Sequence, residues 1–126
     1  MIFTKFDLTI TENAMQKIVE ISDYEIERGK PMPSNIHSII QSNLIFLLKS
    51  FYKKTYNIHS ELTFEVNMER FTPDISLLPK QPIDFQHDII VFPTPPITAI
   101  EILSPTQILG DLFIKMQKLI DLGTQS

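Results

Sequence analysis

The sequence predicts an α/β (α+β) fold, a mixed central β-sheet flanked by helices. Three observations predict it. Apolar residues recur at helical spacing in three separate stretches, segments of strict polar/apolar alternation lie between them, and the run Thr98-Ala99-Ile100-Glu101-Ile102-Leu103 is apolar on both faces apart from a single acid. Strands interleaved with helices argue for a sheet with helices packed against it. The 126 residues, 43% of them hydrophobic, fit one domain over 1–126 with a core of its own.

Thr9-Ile10-Thr11-Glu12 has the Thr-x-x-Glu form of a capping box, and Ala14, Met15, Ile18 and Val19 follow at helical spacing. This predicts a first helix over about 10–21. Tyr24 and Ile26 then alternate with Glu25 and Glu27 before Gly29-Lys30-Pro31, which predicts a short strand and turn over Asp23 to Arg28. Ser34 can cap a long helix whose apolar stripe is Ile36, Ile39, Ile40, Leu44, Leu47, Leu48 and Phe51. Lys49, Lys53 and Lys54 fall near its C-terminus, where the helix dipole favours cations.

Leu62, Phe64 and Val66 alternate with Glu61, Thr63 and Glu65, which predicts a half-buried strand over Ser60 to Val66. Pro73 to Leu78 reads as the next strand, with proline allowed at its start. The proline-studded stretch from Pro79 to Pro96 reads as a loop with a short extended piece at Ile89 to Phe92. After the strand Thr98 to Leu103, Ser104-Pro105-Thr106 stops it and can cap a last helix. That helix has a core face of Ile108, Leu109, Leu112, Met116, Leu119 and Ile120 and a stop at Gly123.

Composition narrows the function classes. With 15 acidic residues against 11 basic ones the net charge is -4, so any contact with nucleic acid must come from a local patch. The absence of cysteine excludes disulfides, thiolate zinc sites and cysteine nucleophiles, and points to a reducing, cytoplasmic compartment. No apolar run approaches the ~18 residues of a membrane span, and the N-terminus lacks the apolar core of a signal peptide. The expectation is a soluble protein with no membrane partner.

An acid in a doubly covered strand is the sharpest anomaly, because a buried carboxylate without compensation costs several kcal/mol. Asp74, directly after a proline and among apolar neighbours, is the natural companion of Glu101. Two carboxylates converging at strand ends offer hard oxygen ligands suited to Mg²⁺ or Mn²⁺. Lys115 can supply a cation to the same place: Glu101 lies about two residues, ~7 Å, before its strand ends, and Lys115 lies about eight residues, ~12 Å, along the returning helix. Other readings stand beside these. Asp74 can cap a backbone amide at a turn, Glu101 can pair with a core Lys or Arg, and Lys115 can pair with Asp111 four residues earlier on a solvated face. Lys49, Lys53 and Lys54 are either helix-end charges or phosphate contacts. His59 and His87 have no companions at metal-ligand spacing.

Tyr24-Glu25-Ile26-Glu27-Arg28-Gly29, His37, Thr72-Pro73-Asp74, Ile100-Glu101-Ile102-Leu103-Ser104-Pro105 and Lys115 occur in the order and approximate spacing of one family. In these motifs the chain resembles the Uma-two family of restriction endonucleases, from about Leu8 to Gly123. The resemblance implies a restriction-endonuclease-like PD-(D/E)XK core, dependence on a divalent metal and DNA as substrate. Matched motif to motif, Asp74 and Glu101 fall on the acidic pair, Lys115 on the lysine of the following helix, and Glu25 and His37 on auxiliary positions. Three departures follow: the turn after Gly29 is shorter than in many members, Leu119 stands where a tyrosine is usual, and the family continues past the glycine with another strand. The expectation is therefore a C-terminally truncated nuclease domain acting on DNA as a homodimer. The alternative is a catalytically inactive remnant or interaction module that keeps the fold.

Overall fold

The computed structural model describes residues 32–104 and 108–126, together with Asp23 and Ile26. The chain divides into two compact units, Met1–Met32 and Pro33–Ser126. In the first, Asp23 and Ile26 are helical, which corrects the short strand expected there. Four alternating residues are a weak signal, and Glu25 and Glu27 are good helix formers. The expected first helix over about 10–21 lies outside the described residues.

The second unit opens with helix α1, Asn35–Tyr52, capped by Ser34, whose hydroxyl accepts from the His37 N–H at 3.1 Å. Its inward positions are His37, Gln41, Leu44, Ile45 and Leu48, while Ile36, Ile39, Ile40, Leu47 and Phe51 are exposed. Of the expected apolar stripe only Leu44 and Leu48 thus face inward. Two polar residues hold the inward face of the first turns because they find hydrogen-bond partners there, described below.

The first sheet is antiparallel and carries the core. Strands β1 (Tyr56–Ser60), β4 (Ile75–Pro79) and β6 (Thr98–Ile100) lie in the order β1-β4-β6. Ser60 pairs with Ile75, Ile75 with Ile100, and Leu77 with Ile58 and Thr98. The central strand β4 is buried along Ile75, Ser76, Leu77 and Leu78. The second sheet combines a hairpin of β2 (Thr63–Val66) and β3 (Glu69–Phe71) with β5 (Val91–Phe92), which runs parallel to β2. Its centre is Phe64, stacked on Phe71 at 5.4 Å and edge-on to Phe92 at 5.9 Å. The hairpin turn puts both Asn67 (φ 52°) and Met68 (φ 66°) in the left-handed region, as a two-residue turn of this hand requires.

The single strand expected over Ser60 to Val66 is broken at Glu61, whose φ of 55° turns the chain from the first sheet into the second. The strand expected to reach Leu103 stops at Ile100. Beyond that point the Ile102 N–H donates to the Asp74 carboxylate at 2.7 Å, so a side chain replaces a strand as acceptor.

Helix α2, Leu109–Asp121, starts after Ile108 without a side-chain cap, so the expected cap at Ser104 to Thr106 is not the one used. Its inward stripe is Leu112, Lys115, Leu119 and Leu122, whereas Ile108, Leu109, Met116 and Ile120 are exposed, which corrects the expected core face. Gly123 ends the helix at φ +114°, with Pro95 Cγ only 3.0 Å from where a Cβ would stand. The chain then returns to the sheet: Ser126 N–H donates to Ile97 O at 3.1 Å and Ser126 O accepts from Ala99 N–H at 2.8 Å. Among the described residues no helix is long and apolar enough to cross a membrane.

Candidate active site

Asp74 sits one residue before β4, at the end of the sheet where α1 begins. It is 2% exposed, and among the described residues His37, Gln41, Glu61 and Ile102 donate to it. His37 Nε2 lies 3.2 Å from Oδ2, and the Ile102 N–H reaches the same oxygen at 2.7 Å. The backbone carbonyl of Asp74 accepts from Gln41 Nε2 at 3.1 Å and from the Glu61 N–H at 3.1 Å. A carboxylate oxygen only accepts, so His37 Nε2 must carry the proton of that contact. A buried acid surrounded in this way is fixed in both position and direction.

Glu101 follows β6 directly. The β4/β6 register pairs Ile75 with Ile100, and one further step sets Asp74 opposite Glu101. Its side chain is 6% exposed, and Lys115 Nζ approaches Oε1 to 2.9 Å in an ion pair rather than an aligned hydrogen bond. Lys115 belongs to the inward stripe of α2 and is 33% exposed, so its ammonium joins the buried acid to solvent. The solvated pair with Asp111 is not the one formed. Lys118, one turn further along α2, pairs with Glu69 of β3 at 2.7 Å, so α2 is fixed by two ion pairs at neighbouring turns.

Asp74, Glu101, Lys115 and His37 thus meet in two adjoining pairs at one end of the first sheet. Glu25 lies outside the described residues. Lys49, Lys53 and Lys54 are exposed at the far end of α1; Lys49, 12 residues beyond His37, is roughly 18 Å further along the axis. Sequence reasoning missed Gln41, the Ile102 N–H and the Glu61 N–H. Of these only Gln41 left a trace, as a polar residue four positions after His37 on the same helix face.

No group of three His, Cys, Asp or Glu side chains among the described residues is arranged to hold a metal. Two opposed buried carboxylates do suit Mg²⁺, which commonly takes one or two protein carboxylates and completes its shell with water and phosphate oxygens. The donor chemistry therefore fits a hard divalent cation held by Asp74 and Glu101.

A groove of about 630 Å³ lies elsewhere, lined among others by Asn57, His59, Leu78, Asp84, His87 and Phe92. Burial, with the charge of Lys49 adding to it, holds the His59 imidazole below its usual range. The His87 side chain at 2.8 Å does the same for the exposed Asp84.

The family model of Uma2, described as "Putative restriction endonuclease", matches residues 5–126. The chain belongs to the Uma2 family. Among solved structures it is similar to a "putative nuclease belonging to DUF820" from Anabaena variabilis ATCC 29413, with 29% identity and a TM-score of 0.64. The likeness covers 75% of this chain and 56% of that one, so the chain spans little more than half of its neighbour's length. Among curated proteins none matches. Membership in Uma2 and the likeness to this neighbour agree with the α+β architecture.

Proposed function

We propose that this chain is a divalent-metal-dependent DNA endonuclease that hydrolyses phosphodiester bonds, with Asp74 and Glu101 holding Mg²⁺ or Mn²⁺. The observation that supports this reading is the β4/β6 register, which sets buried Asp74 opposite the buried side chain of Glu101 at one sheet end, with Lys115 paired to Glu101. A cation bound there supplies charge for the phosphate and a more acidic water. The chain's own residues do the rest. His37 and the Ile102 N–H fix the direction of the Asp74 carboxylate, Glu101 keeps Lys115 at the site, and the part-exposed Lys115 ammonium meets the negative charge that develops on phosphorus-bound oxygens. For Glu25 the motif match alone implies an auxiliary role.

Lys49, Lys53 and Lys54 are the proposed phosphate contacts, with Lys49 roughly 18 Å further along α1 than His37. A two-fold homodimer would let two such sites act on opposite strands; a monomer mass by light scattering would remove that part of the reading.

The test is plasmid nicking with thermal melting, with and without Mn²⁺. The wild-type chain is expected to nick and to melt higher with Mn²⁺, since a ligand bound only by the folded state stabilises it. Asp74→Ala is expected to lose both effects. Equal Mn²⁺ responses in the two proteins would overturn the assignment.

One observation favours a second reading. Glu101 is already neutralised by Lys115 at 2.9 Å, which is how a catalytically inactive remnant or interaction module would satisfy a leftover acid. Wild-type protein that neither nicks nor responds to Mn²⁺ would decide for it.

A further inference from the structure

We propose that Gln41 is a positioning residue of this site, a role that rests on the metal-site reading of Asp74 and Glu101. Gln41 is buried, and its side-chain amide donates twice, to Ser60 Oγ at 3.0 Å and to the Asp74 carbonyl at 3.1 Å. The amide has one sensible orientation, because its own carbonyl oxygen placed against the Asp74 carbonyl would set two acceptors face to face. Both amide hydrogens are thereby used. The helix that presents His37 to the Asp74 carboxylate presents Gln41, one turn later, to the same residue's backbone.

The consequence lies in geometry. Asp74 is outside the β4 ladder, so no regular pairing with β6 fixes its backbone. Among the described residues its carbonyl is held by two donors, the Gln41 amide and the Glu61 N–H, which anchor the backbone from which the carboxylate, aimed by His37 and the Ile102 N–H, projects. Groups that orient a ligand without touching the metal commonly change metal affinity by ~10–100-fold when removed. Ser60 provides an internal control, since its hydroxyl accepts the other hydrogen of the Gln41 amide.

The experiment measures Mn²⁺ binding to the full chain by isothermal titration calorimetry, with the Mn²⁺ dependence of nicking alongside. Gln41→Met keeps the side-chain volume and removes the donors; it is expected to weaken Mn²⁺ binding by about tenfold and to raise the half-saturating Mn²⁺ for nicking by the same factor. Ser60→Ala is expected to stay within about twofold of wild type. Gln41→Asn, too short to span both acceptors, is expected to follow Gln41→Met and serves if the methionine variant does not fold. Mn²⁺ affinity in the folded Gln41 variants equal to wild type would overturn the proposal, as would Ser60→Ala losing as much as Gln41→Met, which would reduce Gln41 to an anchor of α1. Wild-type protein that binds no Mn²⁺ would overturn the metal-site reading itself, a separate outcome seen before any variant is made.

Discussion

The two sheets hold themselves together by different means. The β3-β2-β5 sheet is organised around Phe64, stacked on Phe71 and edge-on to Phe92, and its exposed charges pair at the surface, as Arg70 does with Glu65 at 2.8 Å. At the end of the β1-β4-β6 sheet the buried groups are instead Asp74, Gln41 and His37, with Glu101 close behind. Aromatic packing forms the centre of the first. The second spends desolvation free energy on holding acids in place, and that cost has no return in stability that apolar residues would not exceed. The difference teaches where, among the described residues, buried acids take the place of ordinary packing: at one sheet end.

That contrast can be broken in graded ways. The largest loss of stability is expected from Phe64→Ala, about 3–5 kcal/mol by chemical denaturation, since a large ring is lost from a fully buried position. Its Mn²⁺ affinity should remain that of wild type when measured on folded protein. A parallel fall in affinity would show that the two sheets are not independent.

Lys115→Met should cost less, about 1–3 kcal/mol, because Glu101 is left buried without its cation while the part-exposed lysine is screened by water. Nicking should be abolished while the Mn²⁺-induced rise in melting temperature persists, the carboxylates being freed of a competing charge. Unchanged nicking would remove Lys115 from the chemistry.

Met68→Gly, at the hairpin turn, is expected to stabilise by roughly 1 kcal/mol, since glycine adopts positive φ without the Cβ clash and Asn-Gly is a favoured pair for such turns. A lower melting temperature would contradict the turn geometry. The smallest effect belongs to Arg70→Ala, a few tenths of a kcal/mol at most, as both partners are solvated. A larger loss would mean that the hairpin depends on this pair.

The parts of this contrast differ in how legible they are in the sequence. Asp74 and Glu101 stand out because an acid among apolar strand residues needs a partner, and Lys115 follows from a helix that returns along its strand. The helices α1 and α2 are visible in their periodicity, but each carries more than one apolar face, so spacing alone cannot say that His37, Gln41 and Lys115 take inward positions. The break at Glu61 was hidden because alternation runs unbroken from Ser60 to Val66 and glutamate carries no preference for positive φ. Strand β3, three residues long, is below the length at which alternation is readable.

The return of the chain to the first sheet has a practical consequence. Ser126 bonds to Ile97 and Ala99 in the manner of a parallel neighbour of β6. A chain continuing in that register would follow the same edge, two positions at a time, toward Glu101. A peptide that pairs with β6 in this way would therefore come to lie beside the carboxylates.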